Sequence, residues 1–296
     1  MKRAVVLFAA MFLVVLAVEW PASALPAGEP HIPDIITRPP ASVRLGANKG
    51  GTGVRKLVFG NTIGNIGTGP LELRAENNAT TGLTDAFQEI YTHLGPGTGK
   101  TTPLTLVETY NVGTFIFHPL HNHWHMADFA RYELRAINTD GSTGPVVAST
   151  DKFSFCVIDT DVIDATLPHY RLGLVHSCGA SARQGIRVGM GDTYSASLPD
   201  QFIDITGVPF GTYRLLTVAD PNSTEHPGGQ LVELNDANNA ASVDVVITQS
   251  AVTPIPGTER TGIDAPPDSA LAALAGTSSS RLDPFVCEVL ASVTAA

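Results

Sequence analysis

Four of the chain's nine histidines fall in one short run, Phe115-Ile116-Phe117-His118-Pro119-Leu120-His121-Asn122-His123-Trp124-His125. If Leu120 to His125 is extended, side chains alternate faces with period two, and His121, His123 and His125 point the same way. Three imidazoles spaced about 7 Å apart along such a strand can converge on one ion. Imidazole suits zinc, copper, iron and nickel, so the spacing indicates a transition metal without selecting one. His118 stands an odd number of positions away, beyond Pro119. It would share that face only if the chain bends, and is read as a group neighbouring the ligands rather than one of them. The plain alternative is a His-rich surface strand with no task. Phe115, Phe117 and Trp124 argue against it, because interleaved apolar bulk implies a half-buried strand where free imidazoles are poorly solvated.

The segment F-I-F-H-P-L-H-N-H-W-H-M-A-D-F-A-R-Y-E-L resembles the copper-binding segment of the lysyl oxidase family in its shorter bacterial form. Animal members show W-x-W-H-x-C-H-x-H-x-H followed by a Met-acidic-Phe-x-x-Tyr-Asp-Leu run. On that match His121, His123 and His125 fall on the copper ligands and His118 on the family's preceding histidine. The resemblance continues in family order through D-K-F-S-F-C, Q-G-I-R-V-G-M-G-D-T-Y and Q-F-I-D-I-T-G-V-P-F-G-T-Y, from about Pro33 to Gln249. It implies lysine tyrosylquinone, a cofactor that the enzyme makes from its own lysine and tyrosine. The lysine precedes an x-S-F-C run, here Lys152, and the tyrosine closes an acidic-Thr-Tyr triplet, here Tyr194. By position alone Lys152 would merely cap a strand edge. It is nonetheless the only lysine downstream of the histidines.

Such a site would oxidise primary amines, with O₂ as acceptor and hydrogen peroxide and ammonia as products, and it needs a base for the substrate's α-proton. No base is assigned. Where animal members carry a second histidine the chain has Arg131, leaving Asp128 and His118 as nearby candidates, each with an ordinary second-shell or structural reading. Phe115 and Phe117 replace two Trp of the animal motif, Leu120 replaces its Cys, and one residue is missing between His125 and Phe129. These changes keep the ligands and the apolar bulk.

Three cysteines allow at most one intramolecular pair. Cys156 and Cys178 match two cysteines of the animal pattern, and a disulfide between them is expected, with Cys287 free or intermolecular; three buried thiols is the alternative. The run Glu233-Leu234-Asn235-Asp236-Ala237-Asn238-Asn239 reads locally as an Asn/Asp turn. Its hard oxygen donors also suit calcium. The resemblance implies a calcium site from Glu233, Asn235, Asn238 and Asn239 with Asp34 and the Ile35 carbonyl.

The elements that position these groups read as an all-β, antiparallel β-sandwich with long loops. Charged residues are only 16% of the chain, and short alternating segments are broken by Gly, Pro, Asn and Asp. Residues 1–24 read as a signal peptide, with Lys2 and Arg3, an apolar run Ala4–Val18 and the small-x-small triplet Ala22-Ser23-Ala24. An uncleaved anchor is the alternative, although the run is shorter than the roughly 20 residues that span a membrane. Residues 25–53 form an extended Pro-rich segment, 54–250 the oxidase-like domain and 251–296 a Pro/Ser/Ala-rich tail with at most a short helix at 269–276.

Leu57–Ile66 and Pro70–Arg74 are expected to form a hairpin around Gly67-Thr68-Gly69. Phe202–Thr206 and Thr212–Ala219 are expected to form another, and Val243–Ile247 to be the last strand. Removing Lys2, Arg3 and Glu19 moves the formal charge from −10 to −11. So acidic a protein is a poor nucleic-acid binder and attracts cationic substrates. The resemblance implies the activity of a secreted copper/quinone amine oxidase acting on lysine-containing polypeptides or small amines. A non-catalytic copper-binding protein is the first alternative. A zinc hydrolase is the second, though nothing near the histidines resembles a hydrolase motif with its general-base Glu.

Overall fold

The computed structural model describes residues 28–47, 53–93, 104–118, 122–150, 152, 154–178, 183–223, 226 and 228–262. The expected signal peptide, His121, the helix at 269–276 and Cys287 lie outside the described residues. In chain order the strands are β1 Ile35–Thr37, β2 Ala41–Leu45, β3 Lys56–Asn65, β4 Leu71–Asn77, β5 Thr84–His93 and β6 Leu104–His118. There follow β7 His123–Ala127, β8 Ala130–Ile137, β9 Thr143–Ser149, β10 Ser154–Phe155, β11 Asp161–Val162 and β12 Arg183–Ile186. The last six are β13 Met190–Tyr194, β14 Phe202–Asp204, β15 Gly211–Ala219, β16 Ala240–Ile247, β17 Val252–Pro254 and β18 Arg260–Thr261. Among the described residues one 3-10 turn, Asp236–Asn238, precedes β16. The molecule is all-β, and every strand pair described is antiparallel.

Three sheets share one apolar cluster. The first runs β10-β7-β6-β5-β4-β12, the second β1-β3-β13-β11 with β2 and β14 also on β3, and the third β17-β16-β15-β8-β9 with β18 on β16. Between them Phe59, Phe129, Tyr132 and Phe155 are fully buried. Their rings meet edge to face, Phe59 on Tyr132 at 5.0 Å and Tyr132 on Phe155 at 5.7 Å, and Phe155 passes the stack to Tyr194 at 5.1 Å. Edge-to-face rings add to what their burial contributes, so this stack is a rigid floor from the core to the candidate site.

Both expected hairpins give way to longer-range pairing. The Gly67-Thr68-Gly69 corner does not fold β4 back onto β3: β3 pairs with β1, β2, β13 and β14, and β4 with β5 and β12. The backbone of residues 31–34 takes the place of a partner strand, with Thr68 and Gly69 N–H donating to Ile32 O, both at 3.0 Å. A Cβ on Gly69 would sit 2.0 Å from the His31 carbonyl oxygen, so glycine is required by close backbone approach. Asn65 pins the corner, donating to Gly69 O and Ile186 O and accepting from Gly67 N and Asp34 N. Likewise β14 joins β3 while β15 joins β8 and β16. Val243–Ile247 lies within β16, and two further strands follow it. Nor does β8 alternate strictly between buried and exposed residues. Glu133 and Arg135 are buried beside Tyr132 and Leu134 and satisfy each other at 2.5 Å.

Candidate metal and cofactor site

The histidine run is a hairpin rather than one strand. β6 ends at His118, Asn122 turns in the left-handed region (φ 55°) with its N–H on His118 O at 2.8 Å, and β7 begins at His123. The register sets His118 directly opposite His123 and Ile116 opposite His125. This corrects the expectation of an unbroken Leu120–His125 strand, and it gives His118 the bend it lacked. Its ring lies 4.9 Å from that of His125, as does the ring of His123. The Nε2 atoms of His123 and His125 are 3.0 Å apart. Two imidazole nitrogens bound to one ion at about 2.0–2.1 Å would stand roughly 2.9–3.4 Å apart. The pair is therefore already at ligand spacing. Ser154 Oγ meets His125 Nδ1 at 3.2 Å and so directs Nε2 toward the shared space. Asp128 lies at the other end of β7, exposed in a left-handed turn (φ 53°). No hydrogen bond joins its carboxylate to an imidazole among the described residues.

The strand that holds Ser154 also holds the second half of the chemistry. β10 pairs with β7, Ser154 opposite Ala127 and Phe155 opposite Met126. Buried Gln184 clamps the two segments, donating to Trp124 O at 2.6 Å and accepting from Val157 N at 2.8 Å. Two residues before β10, the Lys152 ammonium nitrogen sits 4.3 Å from the Tyr194 ring centre and 4.7 Å from that of Phe155. It donates to Gln201 Oε1 at 3.3 Å. Desolvation pushes the Lys152 pKa down to about 8, against the pull of Asp200 and Asp192. Tyr194 arrives from the other sheet on β13, its hydroxyl donating to Cys156 O at 2.5 Å. Burial pushes its pKa well above the phenol's usual value, and the Asp192 charge adds to that. Asp192 is 3% exposed. Burial raises its carboxyl pKa far above normal, against hydrogen bonds from Ile158 N–H and Tyr194 and the charge of Lys152.

Cys156 and Cys178 form the expected disulfide, with Cα atoms 5.8 Å apart. A ring nitrogen of His123 and the two sulfurs lie within 4.8 Å of one another. Joined to each other, the sulfurs carry no thiolate charge and are not ligands in this state.

Residues 98–255 match the family model described as lysyl oxidase, more than half of the chain. The chain belongs to the lysyl oxidase family. It is 36% identical over 110 residues to lysyl oxidase homolog 3B of Danio rerio, covering 37% of this chain and 12% of that protein. Against lysyl oxidase homolog 2 of Gallus gallus it is 36% identical over 109 residues, 36% and 13% of the two lengths. Against lysyl oxidase homolog 3 of Homo sapiens it is 33% identical over 128 residues, 43% and 15% of the two lengths. The matched stretch thus spans about one seventh or less of these relatives.

Within this lysyl oxidase domain, sequence reasoning missed Ser154, Gln184, Asp192 and Gln201. Asp192 had a signal, as the acidic member of the triplet that ends at Tyr194. The other three depend on pairing that no local pattern encodes.

The oxygen-rich run near the C-terminal end comes together only in part. Glu233 is buried, one carboxylate oxygen accepting from Ile35 N–H at 2.7 Å and the other from Asn239 Nδ2 at 2.6 Å. Asp34 accepts from Asn238 Nδ2 at 2.8 Å. The side-chain oxygens of Asn238 and Asn239 are buried without a hydrogen-bond partner, a standing cost that a cation would relieve. Burial raises the pKa of both Asp34 and Glu233. Asn235 instead spends its side-chain oxygen capping Ala237 N–H. Among the described residues no helix is long and apolar enough to cross a membrane, which leaves strand-spanning barrels unaddressed.

Proposed function

We propose that the chain is a secreted copper-dependent amine oxidase that converts primary amines, as peptidyl lysine or small amines, to aldehydes with release of ammonia and hydrogen peroxide. Its cofactor would be lysine tyrosylquinone made from Lys152 and Tyr194. The observation that carries the reading is the Lys152 amine held 4.3 Å from the Tyr194 ring centre, at the end of the segment that supports His125. Copper would be held by His121, His123 and His125, with His118 beside them; together copper and quinone would supply an electrophilic carbonyl and a path for electrons to O₂.

The chain's own groups have definable parts. A pKa of about 8 leaves a usable fraction of Lys152 neutral at physiological pH, and only the neutral amine can attack a ring carbon. Gln201 and the Phe155 face hold that amine in place. Asp192, buried next to Lys152 and Tyr194, is a further candidate beside Asp128 and His118 to take the substrate's α-proton. Residues 1–24 would direct export. The oxygen ligands of Asp34, Ile35, Glu233, Asn238 and Asn239 would take calcium as a third, structural cofactor, with Asn235 joining only by leaving its cap.

The test is quinone absorbance and amine-dependent peroxide release from copper-loaded protein, both expected to vanish in Lys152→Arg and Tyr194→Phe. Undiminished turnover in those variants would refute the assignment. A second reading, a non-catalytic copper-binding protein, draws on the Tyr194 hydroxyl, whose bond to Cys156 O and raised pKa oppose the phenolate that ring oxidation requires. A redox stain for quinones on the denatured, copper-exposed protein separates the two.

A further inference from the structure

The Cys156–Cys178 disulfide does more than tie a loop. It places two sulfurs against His123, all three donor atoms within 4.8 Å of one another. Cys156 is 4% exposed just after β10, whereas Cys178 is half-buried, the more exposed of the two. We propose that reduction of this disulfide converts the cluster into a metal site of its own, in which the Cys156 and Cys178 thiolates and the His123 imidazole bind a thiophilic ion such as Zn²⁺ or Cu⁺. Disulfide and bound metal are then mutually exclusive states of the same three residues. The inference is independent of the quinone.

The chemistry balances with a dithiol or a pair of monothiols as reductant. One reductant thiolate attacks a disulfide sulfur and expels the other as a thiolate, and a second reductant thiol completes the exchange, leaving two cysteine thiols and one reductant disulfide. The metal then displaces two thiol protons and takes the imidazole nitrogen. A tetrahedral ion with bonds of about 2.3 Å to sulfur and 2.0 Å to nitrogen sets sulfur and nitrogen roughly 3.5 Å apart. The imidazole nitrogen thus needs to approach the sulfurs by roughly 1 Å while the sulfurs, no longer bonded, separate to roughly 3.8 Å, both within reach of side-chain rotation. The ligand set is soft, unlike an all-imidazole cluster, so the two oxidation states of the cysteines would select different metals at neighbouring positions that share His123.

The experiment uses the full chain with Cys287→Ser. Anaerobic Co²⁺ titration of reduced protein should give a thiolate-to-Co(II) charge-transfer band that oxidised protein lacks. The band should be lost in the Cys156→Ser, Cys178→Ser double variant and unchanged in Lys152→Arg, so failure of the amine-oxidase reading would leave this result standing. His123→Gln should weaken Co²⁺ binding by roughly tenfold or more. Zn²⁺ should slow alkylation of both thiols by about tenfold or more in reduced protein, and not in His123→Gln. A reduced protein with no such band, whether it stays folded or fails to fold on adding Co²⁺, overturns the proposal. So does unchanged Co²⁺ affinity in His123→Gln.

Discussion

On the proposed function, Lys152 would owe its reactivity to where its amine sits, over the Phe155 and Tyr194 rings and largely desolvated. Its folded pKa, about 8, lies below the ordinary 10.5, so the protonated form predominates below about 8 and the neutral nucleophile above it. The rate of quinone appearance after copper addition should therefore rise about tenfold per pH unit up to about 8 and level off beyond, followed by absorbance from pH 6 upward. A flat profile would place another group's ionisation in control. Asp192→Asn, nearly isosteric, should leave quinone formation measurable while lowering kcat by about 10²-fold or more, since a positioned base contributes 10²–10⁴. Unaltered kcat would remove Asp192 from proton transfer. Lys152 and Tyr194 stand out in the sequence because one precedes and the other closes a short motif resembling the family's. Asp192 carried only the triplet as a signal, because its burial beside Lys152 and Tyr194 is not written in local spacing.

At the scale of elements, the tip between β6 and β7 decides which imidazoles meet. A chain read as continuous from Leu120 to His125 hides this tip, because period-two alternation looks the same on either side of a reversal. The decisive residue is Asn122, whose φ of 55° Asn tolerates and β-branched residues do not. Asn122→Val should cost about 1–2 kcal/mol and weaken copper binding, whereas Asn122→Gly should retain it, as read by thermal unfolding and metal titration. Gln184 is the hidden strut of the same element pair. Gln184→Leu strands the Trp124 carbonyl and the Val157 N–H in the interior, and each such group costs about 1–3 kcal/mol. The expected loss in denaturant unfolding is therefore at least about 2 kcal/mol, and a smaller loss would mean that water or a neighbour takes over both bonds.

Across the whole molecule, an all-β antiparallel build was readable from alternation and turn residues, but strand partners were not. Both expected hairpins failed where a distant strand offered a better edge, β13 and β14 on β3 and β16 on β15. The same long reach joins Ile35 to Glu233. Because Glu233 has a raised folded pKa, its neutral form favours the fold, and that contribution fades as pH rises above the ordinary 4.5. Calcium bound there would offset the loss, so added Ca²⁺ should raise Tm at neutral pH and have little effect below pH 4.5, with the rise absent in Glu233→Gln. Lys152 leads into a strand of one sheet, and Tyr194 ends a strand of another. A covalent bond between them would close a ring of about 43 residues across two layers and, by the loop-entropy rule, stabilise the fold by about 4 kcal/mol. Maturation would then also be a riveting step, leaving a finished enzyme tougher than its own precursor.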